Sequence, residues 1–328
     1  MNATATRATG KRALRRPTAP ATGGPPGGRG PRSGRRPVWE EPPTRVGLTA
    51  KGAILAIALL AILFPLWIVV VTSVSDARTI AETGGLVVWP RGVTLDAYRE
   101  LLSGGEVSRA MVVSIGVTVV GTAFSMAVSV LAAYGLSRLG SLWHRPILFT
   151  LLATMFFGGA GIIPTYLLIQ SLGLMNTYAA LILPMAVNVF NILVLRAFFM
   201  NVGQEIIDSA RIDGAGEFRI LWQIVLPLSR AVLAVISLFY AVAYWGNWFA
   251  GFIYITDQEK LPLQNVLQQI VIGNERPAGM AQVIGTGQIP SIAVQTAVMV
   301  LALLPVAVLS PFVQRHFKKG MLIGAVKG

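Results

Sequence analysis

The sequence predicts an all-α, polytopic membrane protein with six transmembrane helices and both termini in the cytoplasm. Its 328 residues are 54% hydrophobic and only 12% charged, whereas soluble domains carry about 25% charged residues. Six apolar stretches approach the ~20 residues that a helix needs to cross a bilayer. The chain ends and the connections after the second and fourth stretches hold 21 of the basic residues, and the other connections hold 6. Because cytoplasmic loops carry the Lys and Arg excess, this bias predicts the orientation.

The predicted spans are long apolar runs that cover residues 52–71, 110–136, 146–170, 178–199, 231–255 and 291–313. Pro65 lies inside the first span and favours a kink there. The second span carries small residues, including Gly121, Ser125 and Ser129, which permit close helix packing. Glycines and a proline interrupt the third span between Gly158 and Pro164, which indicates either a break beside a transport pathway or tight packing.

Residues 1–46 are predicted to be a disordered, basic cytoplasmic tail rich in Gly and Pro. Residues 1–51 hold 11 of the 27 basic residues, and the only acids among them are Glu40 and Glu41. Such a composition cannot bury enough apolar surface to offset the entropy lost on ordering. The tail is interpreted either as an arm that meets anionic lipid or as a variable segment whose arginines fix the orientation.

Composition argues against an enzyme. The chain has no cysteine and only two histidines, His144 and His316, which lie far apart in sequence. We therefore expect no metal site and no cysteine nucleophile. The predicted spans contain no Asp, Glu, Lys or His cluster, and the chain lacks the Gly-rich phosphate loop of ATPases. We expect neither catalysis nor ATP hydrolysis by this chain.

A polar segment, Gly203–Pro227, separates the fourth and fifth spans and holds four acidic and two basic residues after Gln204. The pattern predicts a helix over 204–212, a turn or helix cap at Gly214, and a second helix over 216–226 that Pro227 ends. Four apolar residues at helical spacing predict a ridge on the second helix, namely Phe218, Leu221, Trp222 and Val225. This pattern fits either a hairpin lying on the membrane surface or a docking surface for a partner.

The same segment resembles the EAA motif of ABC importer permeases. Asp208-Ser209-Ala210, Gly214, Ile224, Leu226 and Pro227 fall at the spacings of that motif, with Asp replacing Glu and Ser replacing Ala at its first two positions. Further stretches resemble the carbohydrate-uptake branch of these permeases, and among them are 93–102, 210–215 and 239–249. Residues 156–174 are similar to polysaccharide/lipoprotein-type oligosaccharide permeases.

The resemblance implies that residues 47–328 are an ABC importer transmembrane domain with the type I permease fold, in a bacterial plasma membrane. It implies a homologous second permease, two ATP-binding subunits that hold ATP and Mg²⁺, and an extracellular solute-binding protein or lipoprotein that delivers a sugar. No cofactor is expected in this chain. The expected ATPase-coupling residues are Asp208, Ser209, Ala210, Asp213, Gly214, Phe218, Leu221, Ile224, Leu226 and Pro227.

Two groups of polar and aromatic side chains inside the spans are candidates for the substrate pathway. In the fifth span these are Tyr240, Tyr244, Trp245 and Asn247, and in the fourth span they are Asn188 and Asn191. Aromatic faces and amides suit sugar recognition, because ligand sites combine apolar surface with a few placed polar groups. Hydrogen bonds between helices and an interfacial aromatic belt are the alternative and simpler explanation of the same residues.

The sequence therefore predicts the permease subunit of an ATP-driven carbohydrate importer. A non-sugar cargo, such as a peptide or a glycerol-phosphate compound, is the alternative within the same class. A secondary transporter or channel is the alternative from another class, and the spacing of the EAA motif argues against it.

Overall fold

The computed structural model describes residues 45–103, 105–138, 143–157, 161–272 and 290–324. The chain divides into two units, residues 1–57 and 58–328. In the first unit the description covers only the beginning of the first helix, and the predicted disordered tail lies outside the described residues except for its last two. Those two, Arg45 and Val46, are already helical.

The described residues are almost entirely helical. The helices are α1 (Arg45–Ser73), α2 (Ala77–Thr83), α3 (Asp96–Ser103), α4 (Glu106–Ser137), α5 (His144–Phe156), α6 (Ile162–Ser171), α7 (Tyr178–Ile182), α8 (Val189–Met200), α9 (Gln204–Ile212), α10 (Glu217–Ile220), α11 (Leu226–Leu228), α12 (Arg230–Trp245), α13 (Trp248–Tyr254), α14 (Leu263–Val271) and α15 (Ser291–Gly324). Short 3₁₀ turns occupy Leu183–Met185 and Gln258–Lys260, and a π turn occupies Leu221–Val225. Ser75 and Val93 form an isolated antiparallel bridge.

Three helices of the described chain are long and apolar enough to cross a membrane, within Val46–Ser73, Glu106–Ser137 and Ser291–Val308. Two bent helix pairs raise the number to five if each pair is one span. The predicted third span corresponds to α5 and α6, and its proposed glycine break lies largely outside the described residues. The six-span count and the orientation remain predictions. Pro65 lies inside α1, which continues from Arg45 to Ser73.

The predicted fourth span, 178–199, is not one continuous helix. The chain runs through α7 and a 3₁₀ turn, leaves helical geometry, and resumes as α8 at an angle of 53°. Pro184 lacks the N–H that an α-helix would need at this point. Asn188 then adopts an extended conformation and its Oδ1 accepts the backbone N–H of Asn191 at 3.1 Å, which caps the new helix.

The predicted fifth span, 231–255, is also interrupted. α12 ends at Trp245, and Asn247 begins α13 by accepting the backbone N–H of Ala250 on its side-chain oxygen at 3.3 Å. The apolar run continues through this point, so hydrophobicity gives no sign of the break. An N-cap asparagine restarts the helix without leaving its first amides unpaired.

α4 is the central helix of the second unit and packs against both α8 and α12. A stripe of small buried residues, Gly121, Ser125 and Ser129, brings α4 close to α12. A Cβ at Gly121 would lie only 2.8 Å from the ring of Tyr244, so only glycine fits there. Close approach through small residues is the usual way in which helices associate in lipid.

Candidate functional site

The polar segment begins with α9, which offers its acidic face to the outside. Asp208 accepts a hydrogen bond from Gln204 Nε2 at 3.0 Å and pairs with Arg211 Nη1 at 3.4 Å. Ile207 is 2% exposed and attaches the helix to the rest of the chain, whereas Ile212 is 87% exposed. Glu205 in the first turn and Arg211 in the last turn suit the helix dipole.

Gly214 ends α9 with a tight left-handed turn, as its position in the sequence predicts. Its φ is +81°, its N–H donates to Arg211 O at 3.0 Å, and the N–H of Ala215 donates to Ala210 O at 2.9 Å. These two bonds form a Schellman motif, which satisfies the last carbonyls of a helix. The predicted cap is confirmed, and the motif fixes the direction in which the chain leaves α9.

The second helix of the polar segment runs from Glu217 to Leu228, so the predicted end at residue 226 is wrong. Its middle is the π turn, in which the N–H of Leu226 donates to Leu221 O. Pro227 cannot donate a hydrogen bond and would collide with the carbonyl four residues earlier in an α-helix. The wider turn relieves this conflict, and the helix ends at Ser229, where α12 departs at 87°.

The predicted apolar ridge of this helix is wrong, because its residues face two ways. Leu221 is 3% exposed and Val225 is 1% exposed, so both belong to the interior of this chain. Phe218 and Trp222 are 73% and 65% exposed, and their rings stack with centroids 6.4 Å apart. Consecutive residues of a helix point in directions about 100° apart, so the inner and outer residues form two separate rows.

The predicted coupling residues therefore divide by exposure. The exposed residues are Asp208, Ser209, Asp213, Gly214 and Phe218. The half-buried residues are Ala210, Ile224, Leu226 and Pro227, and Leu221 is buried. The buried leucine stabilises the base of the segment, and the open residues form the surface that a partner could touch. Their coupling role remains a prediction.

Glu217 joins the polar segment to the C-terminal end of α4. One carboxylate oxygen accepts hydrogen bonds from Arg211 Nη2 at 2.7 Å and from its Nε at 3.1 Å. The other accepts the hydroxyl of Tyr134 and pairs with Arg138 Nη2 at 3.4 Å. The Arg138 guanidinium lies 4.4 Å from the centre of the Tyr134 ring and also donates to its hydroxyl. Hydrogen bonds from Tyr134, and then from Arg211, hold the pKa of Glu217 below its ordinary value.

A second contact links α8 to the same end of α4. Arg196 Nε donates to the carbonyl of Leu136 at 2.9 Å, and its Nη2 lies 3.4 Å from His144 Nε2. A cation at the last carbonyls of a helix satisfies groups that have no partner within the helix. The C-terminal end of α4 is thus bound both to the polar segment and to α8, the helix that precedes the polar segment.

The candidate pathway tyrosines hold helices together. The Tyr240 and Ser129 hydroxyl oxygens are 2.7 Å apart, and Tyr240 also accepts the backbone N–H of Asn188 at 3.2 Å. The Tyr244 and Ser125 hydroxyl oxygens are 2.7 Å apart, and Tyr244 donates to the carbonyl of Ile182 at 2.9 Å. Both tyrosines are buried, and their polar atoms are engaged within the chain.

The remaining pathway candidates lie close to the two helix breaks or are buried. Asn188 is exposed and caps α8, Asn191 is buried, and Asn247 donates from Nδ2 to the Met185 sulfur at 2.8 Å. Trp245 is buried and donates from Nε1 to the carbonyl of Ala302 at 2.9 Å. The structure gathers Asn188, Tyr240, Tyr244 and Asn247 around the breaks, and their contact with a substrate remains a prediction.

The comparisons with known proteins all indicate the same family. Residues 110–323 match the family of binding-protein-dependent transport system inner membrane components. The chain is 42% identical over 278 residues to the polygalacturonan/rhamnogalacturonan transport system permease protein YtcP of Bacillus subtilis, which covers 84% of this chain and 96% of that protein. It is 43% identical over 241 residues to the protein LplC of Bacillus subtilis, covering 74% of this chain and 81% of that protein.

A solved structure has the same fold. The structure is similar, with a TM-score of 0.78 and 29% identity, to a chain of a bacterial ABC transporter involved in the import of the acidic polysaccharide alginate. The likeness covers 83% of this chain and 97% of that one. This chain therefore shares its helix order with that transporter chain, along nearly the whole length of the latter.

Proposed function

This chain belongs to the family of binding-protein-dependent transport system inner membrane components, and we propose that it is the permease subunit of an ATP-driven importer for a carbohydrate oligomer. The cargo is supported by the similarity to a polygalacturonan/rhamnogalacturonan permease and to a subunit of an alginate importer. Two relatives of this kind favour a chain of sugar units over a peptide or a glycerol-phosphate compound.

Residues 47–328 form one half of the translocation pathway, and a homologous second permease forms the other half. The complex sits in a bacterial plasma membrane, and an extracellular solute-binding lipoprotein delivers the sugar. Two ATP-binding subunits on the cytoplasmic side bind ATP and Mg²⁺. The chain contributes no catalytic residue of its own and acts by changing the side of the membrane to which the pathway opens.

The polar segment couples this change to ATP hydrolysis. The observation that carries the proposal is the exposed, stacked pair of Phe218 and Trp222 beside an acidic helix whose base is buried. Large aromatic side chains that are exposed in the free protein and rigidly held are typical anchors in a partner's pocket. Asp208 supplies a charge that pairs with a basic residue of the ATP-binding subunit.

Charge reversal at Asp208 tests the coupling. Asp208→Lys should abolish uptake and release the ATP-binding subunits during purification, although the permease still inserts in the membrane. Asp96→Lys is the matched control, because Asp96 also pairs with an arginine three residues later at 3.4 Å. Normal uptake by Asp208→Lys, with its ATP-binding subunits still attached, would contradict the coupling role.

The cargo is tested by uptake into cells that carry the complete transporter. Galacturonic acid oligomers, alginate oligomers and glycerol 3-phosphate serve as competing probes. We expect uptake of an oligosaccharide and none of glycerol 3-phosphate. Uptake of glycerol 3-phosphate alone would assign the chain to the alternative cargo class.

A further inference from the structure

The polar segment is connected to the membrane helices by two short links of the main chain. Residues 201–202 connect it to α8, and residues 228–229 connect it to α12, which leaves at 87°. The base of the segment is also packed in the core through Ile207, Leu221 and Val225. Apolar packing is not directional, so a rotation applied by a partner could still be partly lost at the links.

The contacts at Glu217 supply a further, polar attachment, which lies between the two links in the sequence. Tyr134 and Glu217 are 83 residues apart in sequence, so this attachment is tertiary. Both carboxylate oxygens are used, one by Arg211 of α9 and the other by Tyr134 and Arg138 at the end of α4. These directional polar bonds add to the apolar packing and oppose rotation of the segment relative to α4.

The α4 side of this attachment is itself well fixed. The side chain of Arg138 is only 18% exposed, and its guanidinium rests on the buried ring of Tyr134. The Glu217 side chain is 53% exposed, so its individual ion pairs contribute about 0–1 kcal/mol each, and the attachment depends on several bonds acting together. α4 in turn packs against α8 and α12, so any force that reaches it is passed to both broken spans.

We propose that Tyr134, Arg138, Arg211 and Glu217 form a rigid joint that makes the polar segment and the C-terminal end of α4 move as one body. This inference rests on the proposed function, since the rotation that the joint transmits comes from the ATP-binding subunits. The four residues are positioning residues. They act through the geometry of the polar segment and not by contact with ATP or cargo.

Spin labels test the joint directly, because the chain has no native cysteine. Labels are attached at Leu131→Cys on α4 and Arg219→Cys on the polar segment, which are exposed positions outside the four-residue joint. The distance between them is measured by electron paramagnetic resonance in the assembled transporter without nucleotide and with ATP and vanadate. We expect one narrow distance distribution that is the same in both states.

Conservative variants then open the joint. Tyr134→Phe and Glu217→Gln should each broaden the distribution and make it differ between the two states, and the double variant should behave like either single one. Tyr98→Phe is the matched control, because it also removes a helix-to-helix hydroxyl contact, to Ser73 at 2.6 Å, outside the joint. The control should keep the narrow distribution.

Coupling efficiency supplies the functional readout. Tyr134→Phe and Glu217→Gln should retain the ATP-binding subunits and hydrolyse ATP, yet transport about tenfold less galacturonic acid oligomer per ATP, within the usual range of coupling between sites. A distance that changes between states in the native transporter would overturn the joint, as would a distribution in the variants as narrow as in the native protein. If the ATP-binding subunits do not co-purify at all, the proposed function fails. The width of the distance distribution measured in the isolated chain then still decides whether the joint is rigid.

Discussion

Replacement of Gly121 by alanine should break the packing of α4 against α12. The added Cβ would lie 2.8–2.9 Å from three atoms of the Tyr244 ring. This ring cannot easily withdraw, because its hydroxyl is bonded to Ser125 at 2.7 Å and to the carbonyl of Ile182 at 2.9 Å. The collision therefore strains the packing of the two helices and also breaks both hydrogen bonds.

The expected loss follows from these two costs. Overpacking of a well-filled core costs about 1–3 kcal/mol. Hydrogen bonds between helices in a membrane contribute about 0.6 kcal/mol each on average. We therefore expect Gly121→Ala to lower the free energy of unfolding by about 2–4 kcal/mol, measured by reversible detergent-induced unfolding followed by tryptophan fluorescence.

Gly116→Ala on the same helix is the control, because a Cβ there would meet nothing within 4 Å. It should change the free energy of unfolding by no more than about 0.5 kcal/mol. In a Tyr244→Ala background, Gly121→Ala should also become nearly neutral, since the colliding ring is gone. An equal loss for Gly121→Ala with and without the ring, or a loss no larger than that of the control, would refute the steric argument.

Three further results are expected. Gly214→Ala should destabilise the end of α9 by about 1–2 kcal/mol, because the backbone at this position is left-handed. Gly216→Ala is the control and should not destabilise α9, because Gly216 has an ordinary φ and open space around its Cα. The rate of proteolysis of the polar segment measures the difference between the two variants. Glu217 has a lowered pKa, so its contribution is present above the ordinary pKa of about 4.3 and is lost as pH falls through the lower folded value. Thermal midpoints of the native protein and Glu217→Gln should therefore differ at neutral pH and converge in acid. Gly251→Ala should impair folding, because its Cβ would lie 2.2 Å from Asn265 Oδ1, and Asn265→Ala should restore part of the loss.

Most helices could be predicted because long apolar runs and turn residues mark them directly. α4 and α9 lie within a few residues of their predicted bounds, and Gly214 caps α9 as its position indicates. These features are determined by residues that are close together in the sequence, so the sequence alone predicts them. Family resemblance supplied the proposed coupling role of the polar segment, which physical patterns alone left open between a membrane-surface hairpin and a docking surface.

The breaks at Asn188 and Asn247 could not be predicted from hydrophobicity, since the apolar runs continue through them. Both asparagines were expected beside a substrate pathway, yet in the structure both cap helices. An asparagine inside a span fits a cap, a helix contact and a ligand contact equally well. Only its backbone conformation, which depends on neighbouring helices, separates these roles.

The joint at Glu217 was missed for a different reason. Arg211 and Glu217 are six residues apart, which does not match a helical pair, and Tyr134 lies 83 residues from Glu217. The only signal in the sequence is an acidic residue just after a helix-ending glycine, together with a tyrosine and an arginine four residues apart at the end of the second span. Such signals become meaningful only when the fold brings them together.

The two helix breaks also constrain how the protein is made. The break before α8 is synthesised first, yet polar groups of α7 and α8 find their partners in Tyr240 and Tyr244 of α12, 52 and 62 residues further along the chain. Unpaired backbone groups are costly in lipid. The nascent chain must therefore hold its unfinished fourth span at a protected site, in the insertion machinery or against water, until α12 enters the membrane beside it. A chain truncated before Arg230 would leave the N–H of Asn188 and the carbonyl of Ile182 without these partners.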